Sequence, residues 1–157
     1  MMFDGGWTPQ KVAVFRESFY EFLNCIKISS KEKGEMVLGE NLHRAQYMFY
    51  DAVFAALEND IHDVYTLKSR HLGISTGTRA LTLFWLGMHS NLRGAMVFDT
   101  AEHTQTARYE IEEIIDGLPE RLHFPKPKKG GRNRNALMLD NNSWLMFTQA
   151  GVKNNRS

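Results

Sequence analysis

Apolar residues recur at steps of three and four along Val12, Phe15, Phe19 and Phe22, which predicts an amphipathic helix from Thr8 to Leu23. Thr8-Pro9 has the form of an N-cap followed by proline at the first helical position. Cys25 to Ser29 alternates as a half-buried strand does, Lys31-Glu32-Lys33-Gly34 is a polar turn, and Glu35 to Leu38 completes a hairpin. Asn41 is the expected N-cap of a second helix with its stripe at Leu42, Phe49, Val53, Ala56 and Leu57, and Gln46 falls on or beside that face. Val64 to Leu67 is the first parallel-strand candidate. Leu81, Phe84, Trp85 and Met88 mark a helix over about Thr76 to His89.

The same alternation continues downstream. Ala95 to Phe98 is expected as a buried strand, with Asn91 to Gly94 as the turn before it. Thr100 caps the next helix, Glu102 suits its N-terminus, and Ala107, Ile111, Ile114, Ile115 and Leu118 form its buried stripe. Residues 64–118 thus form a β-α-β-α order, which predicts an α/β fold with a parallel sheet and crossover helices. Pro119 to Asn135 carries three prolines, a Gly-Gly pair and the basic run Lys126, Lys128, Lys129, Arg132 and Arg134, and is expected as a loop. Two strands follow, Ala136 to Leu139 and Trp144 to Thr148, joined by a turn at Asp140-Asn141-Asn142-Ser143.

Composition narrows the class. A chain of 157 residues with 43% apolar content suits one domain with a core. A formal charge of +1 gives no bulk attraction to nucleic acid. A single cysteine, Cys25, excludes an internal disulfide and fits a reducing compartment. It starts a strand with no basic partner in view, which argues against a nucleophile. Apolar runs stay below the roughly 18 residues of a membrane span, and the first residues lack signal-peptide features, so a soluble intracellular protein is expected. His43, His62, His71, His89, His103 and His123 lack zinc-ligand spacing. Trp85 is expected in the core, Trp144 as a hairpin packing residue, and Met36, Met48, Met88 and Met96 as fillers of core gaps.

The candidate chemistry lies in Lys68-Ser69-Arg70-His71-Leu72-Gly73-Ile74-Ser75-Thr76, between a strand candidate and a helix. Aligned on the phosphate-loop pattern G-x-x-x-x-G-K-[ST], Gly73 and Ser75 keep their places, Lys68 replaces the first glycine and Ile74 the usual lysine. A nucleoside triphosphate needs backbone N–H groups at its phosphates, a cation against its charge and a hydroxyl toward Mg²⁺. Gly73 allows close backbone approach, Ser75 with Thr76 opens a helix whose N–H groups favour anions, and Lys68 with Arg70 supplies positive charge. The match fixes only three positions. A surface turn capped by Ser75 or Thr76 carries the same residues.

This stretch resembles the deviant Walker A motif of tailed-phage terminase large subunits, the ATP-driven motors that package DNA, in which the basic residue is often shifted to the front. The similarity extends to Phe19-Tyr20-Glu21-Phe22, Ile26-Lys27-Ile28 and Asn41-Leu42-His43-Arg44-Ala45-Gln46, then to Val97-Phe98-Asp99-Thr100 with Ala107, and to Asn141-Asn142-Ser143-Trp144, covering roughly residues 15 to 157. The resemblance implies a P-loop NTPase-like core over residues 64–157, preceded by an N-terminal helix and hairpin region over 1–63, the whole being one incomplete domain. It implies ATP and Mg²⁺ as cofactors. Lys68 and Arg70 would stabilise phosphate charge, Ser75 would hold Mg²⁺, and Gln46 would recognise adenine. Ser69, His71, Leu72, Gly73, Ile74 and Thr76 would complete the nucleotide-binding loop. Implied partners are double-stranded DNA, the phage portal, the small terminase subunit and further copies in a ring, in the host cytoplasm.

The pattern also departs from the family. His71 stands where many members have Gln, and Asn142 where Gly is usual. Ala95 to Asp99 and Ala136 to Asp140 are each four apolar residues and an Asp, but Thr100 and Asn141 follow where a Walker B motif has Glu. Both aspartates are therefore expected to be structural. The family's Walker B strand lies beyond the segment like Lys153 to Ser157, so the chain is expected to be an N-terminal piece with weak or no hydrolysis of its own. Two alternatives stay open: a helicase-like P-loop ATPase, and a non-catalytic nucleic-acid-binding or assembly module using the run from Lys126 to Arg134.

Overall fold

A computed structural model of the chain describes residues 6–30, 34–69, 72–132 and 135–151. Two compact units emerge, Met1–Leu81 and Thr82–Ser157, and the division falls inside the helix Ile74–Met88. The secondary structure is mixed α/β.

The first unit begins with α1, Pro9–Leu23, capped by Thr8, whose hydroxyl accepts the Lys11 N–H at 3.3 Å. The expected stripe is the observed one: Val12, Phe15, Phe19 and Phe22 are buried with Leu23. Strands β1 (Lys27–Ser30) and β2 (Gly34–Val37) pair antiparallel as the expected hairpin, and the turn residues Lys31 to Lys33 lie outside the described residues. Helix α2 spans Arg44–Glu58 and differs from expectation in two ways. Its N-cap is His43, while Asn41 sits in a short 3-10 turn and donates its side-chain N–H to Val37 O at 2.8 Å. Its buried seam runs through Gln46, Tyr50, Phe54 and Ala56, and Phe49, Val53 and Leu57 are only half-buried. The aromatic rings of α1 set that rotation: Phe19 meets Tyr50 edge-on at 4.8 Å and Phe54 at 5.9 Å between centroids. A polar residue inside the seam hid it from a count of apolar positions.

The strand expected at Val64 to Leu67 does not form. Residues 61–69 have no regular structure and are all exposed, with Tyr65 at 93% and Leu67 at 103% of full exposure. A strand exists through its ladder, and among the described residues no strand pairs with this one. Helix α3 (Ile74–Met88) then starts two residues earlier than expected. Met48 and Met88 are more than half exposed and fill no core gap.

In the second unit, β3 (Arg93–Phe98), β4 (Pro127–Arg132), β5 (Ala136–Leu139) and β6 (Trp144–Gln149) form a sheet in the order β3-β6-β5-β4. Among the described strands of this sheet only β3 and β6 are parallel; β6–β5 and β5–β4 are antiparallel. The sheet is therefore mixed rather than parallel. Helix α4 (Ala101–Gly117), capped by Thr100, packs on β3 and β6 and buries Ala107, Ile111, Ile114 and Ile115 as the periodicity predicts. Strand β3 lies at the sheet edge, half-buried on one face with Val97 exposed, where its apolar run predicted full burial.

The basic stretch expected as a loop contains β4. Pro127 takes its first position, where a missing N–H costs least, and β5 supplies the pairing. From Pro127↔Leu139 to Arg132↔Leu137 the register advances five residues on β4 against two on β5, so the ladder is irregular between them. Among the described residues no helix is long and apolar enough to cross a membrane.

Candidate functional site

The loop of interest lies in the first unit and is built around Gly73. Its backbone takes φ +68°, a left-handed conformation that glycine adopts without steric cost, directly before the first turn of α3. Gly73 O accepts the Gly77 N–H at 2.9 Å, which opens the helical ladder, and also the Gln46 side-chain N–H at 3.0 Å. A Cβ on Gly73 would stand 2.9 Å from Gln46 Nε2. Glycine is needed here for its dihedral angle and for the approach of a buried amide.

Gln46 is 1% exposed and is satisfied at both ends: Nε2 donates to Gly73 O, and Oε1 accepts the His43 N–H at 2.8 Å. One turn further along α2, Tyr50 is fully buried, and its hydroxyl lies against Gly77, where a Cβ would come within 2.7 Å of it. Among the described residues that hydroxyl has no hydrogen-bond partner, and burial pushes its ionisation far above the usual tyrosine range. Two α2 residues four apart therefore face two glycines four apart, one just before α3 and one in its first turn. The small residues let the helices close on each other, and neither Tyr50 nor Gly77 had been singled out by the phosphate-loop pattern. The spacing G-x-x-x-G over Gly73 and Gly77, opposite Gln46 and Tyr50, was the available signal.

The other candidates are distributed unevenly. Lys68 and Ser69 are exposed and irregular, Leu72 is half-buried, and Ile74 is buried as the first residue of α3. Ser75 is exposed and Thr76 half-buried in the first turn, so Ser75 presents its hydroxyl to solvent. Arg70 and His71 lie outside the described residues. Gln46, Gly73 and the start of α3 are brought together; Lys68 and Ser69 are held by no regular element. In the first turn the N–H groups of Ile74, Ser75 and Thr76 have no acceptor within the helix. Among the described residues no group of three or more His, Cys, Asp and Glu is placed to hold a metal ion.

In the second unit the residues of the Asn-Asn-Ser turn close the end of α3. Asn141 Nδ2 donates to Leu86 O at 2.8 Å and to His89 O at 3.1 Å, while Ser143 Oγ donates to His89 O at 2.5 Å and accepts the Leu92 N–H at 3.1 Å. Asn142 sits at φ +64°, the conformation that explains why glycine or asparagine suits this position. Asp99 pairs with His103 at 2.6 Å at the start of α4, and Asp140 accepts the Lys126 N–H at 3.1 Å. Of the basic run, Lys128 is bonded to Asn142 and Arg132 to Asp116, at 2.5 and 2.6 Å. A cleft of about 1080 Å³ beside them is lined by Lys126, Lys128 and Arg132, but equally by Asp116, Glu120 and Asp140. Its charges balance, which gives no net attraction for an anion. Arg134 lies outside the described residues.

No protein-family model and no curated protein matches the chain.

Proposed function

We propose that Lys68 to Thr76 binds the phosphates of a nucleoside triphosphate, ATP, in the N-terminal part of a motor like the terminase large subunits it resembles. The observation that carries this reading is Gly73: a left-handed glycine set directly before a 15-residue helix. Such a junction turns successive backbone N–H groups outward, and the helix dipole adds partial positive charge where phosphate oxygens would sit.

The side chains divide the remaining work. Lys68 is an exposed cation on the approach to the helix, free to fold over bound phosphate. Arg70 would add a second positive charge. Ser75 offers one exposed hydroxyl as a Mg²⁺ ligand, which suits an ion that keeps water and phosphate oxygens for its remaining positions. Hydrolysis needs a carboxylate that orients water and accepts its proton, and the two Asp candidates are otherwise engaged, Asp99 with His103 and Asp140 with the Lys126 N–H. The chain by itself would bind ATP and turn it over slowly. In the intact motor, hydrolysis would drive double-stranded DNA into a procapsid through a ring of such subunits at the portal, with the small subunit as a further partner.

The deciding experiment is equilibrium binding of ATP-Mg²⁺ to the chain and to Lys68→Ala. Removing one charge-assisted phosphate contact should weaken binding by about tenfold or more. Equal binding by both would remove Lys68 from the site, and no binding by either would refute the reading.

A further inference from the structure

We infer that Gln46 is a positioning residue of the loop, fixing the backbone of the Gly73–Gly77 turn, rather than a group that reads the base. What it positions rests on the nucleotide reading above; the positioning itself does not. The side chain is 1% exposed, and each of its polar atoms is already bonded to backbone, Oε1 to the His43 N–H and Nε2 to Gly73 O. A base could reach this amide only by displacing bonds that a buried group does not give up cheaply. Meanwhile Gly73 O is the acceptor that starts the helical ladder, through the Gly77 N–H at 2.9 Å. Gln46 therefore ties the capped end of α2 to the residue whose φ of +68° orients the first N–H groups of α3. Tyr50, packed on Gly77 one turn further, holds the same stretch from the same side. A loop held in this way has its donors aimed before a ligand arrives, which lowers the ordering cost of binding.

The test uses Gln46→Met, which keeps the length of the side chain without donor or acceptor, and Gln46→Glu, which keeps the acceptor for His43 but loses the donor to Gly73. In ligand-free protein, amide hydrogen exchange at Gly77, whose N–H is bonded to Gly73 O, should quicken about tenfold in both, the worth of one hydrogen bond, while α1 keeps its protection. Unchanged exchange in both would overturn the inference, and so would unfolding of α1 together with the turn. Binding is then measured with ATP, GTP and inorganic triphosphate, each with Mg²⁺. A positioning role weakens all three by a similar factor, about tenfold, and leaves the ATP-to-GTP ratio unchanged. Intact triphosphate binding with a collapsed preference for ATP would make Gln46 a base reader and overturn the inference. If the unsubstituted chain binds none of the three while the exchange response is present, the nucleotide reading falls and the hold of Gln46 on the turn stands.

Discussion

Substituting Gly77 by alanine puts the packing of α2 on α3 to a test with two opposed terms. In a helix interior, alanine is favoured over glycine by about 1 kcal/mol. Against that, the new Cβ would lie 2.7 Å from the Tyr50 hydroxyl, too close to be accommodated without movement. Overpacking of this kind costs about 1–3 kcal/mol. The Gly77→Ala chain should therefore be less stable by about 0–2 kcal/mol. Tyr50→Phe removes the obstructing oxygen, and the next contact becomes the ring carbon Cζ at 3.3 Å, which a shift of a few tenths of an ångström relieves. In that background Gly77→Ala should stabilise by about 0.5–1 kcal/mol, so the effect changes sign. Tyr50→Phe alone should cost nothing, because the hydroxyl it deletes is buried without a partner. Equilibrium urea unfolding of the four chains, with equal m-values, gives the coupling energy, expected at about 0.5–3 kcal/mol. A coupling below about 0.5 kcal/mol would mean that the hydroxyl does not face Gly77, and the helix contact described here would be wrong.

Two further outcomes follow from the second unit. Ser143→Ala deletes a fully buried hydroxyl that bridges His89 O and the Leu92 N–H; urea unfolding should show a loss of about 1–3 kcal/mol, and a loss below about 0.5 kcal/mol would refute its role in closing α3. At the surface, the hydrogen bond to Asp99 raises His103 above the usual 6.5, and the bond from His103 lowers Asp99 below the usual 3.8. The His103 contribution is complete below pH 6.5 and is lost as pH rises through its raised folded value; the Asp99 contribution is complete above pH 3.8 and is lost as pH falls through its lowered one. The pair therefore acts between those limits. NMR titration should show His103 falling back toward 6.5 in Asp99→Asn, and an unmoved His103 would exclude the pairing.

The elements legible along the chain are those whose signals are local. The cap at Thr8, the seams of α1 and α4, the N-terminal hairpin, the cap at Thr100 and the β5–β6 turn each depend on residues within a few positions of one another. Gly73 was legible for the same reason, since a left-handed junction before a helix restricts the residue type locally. Tertiary structure decided what depends on distant partners. Pairing with β5 made a strand of Pro127–Arg132 despite its proline, glycines and charge, while the β-like Val64 to Leu67 stays exposed without a ladder. The α1 aromatics chose which face of α2 is buried, and so placed Gln46 inside the seam. Buried polar groups take their partners from across the fold, and no spacing along the chain records which partner that will be. For this reason Gly73 and Gln46 could each be picked out in the sequence, but the bond between them and the packing of Tyr50 on Gly77 could not.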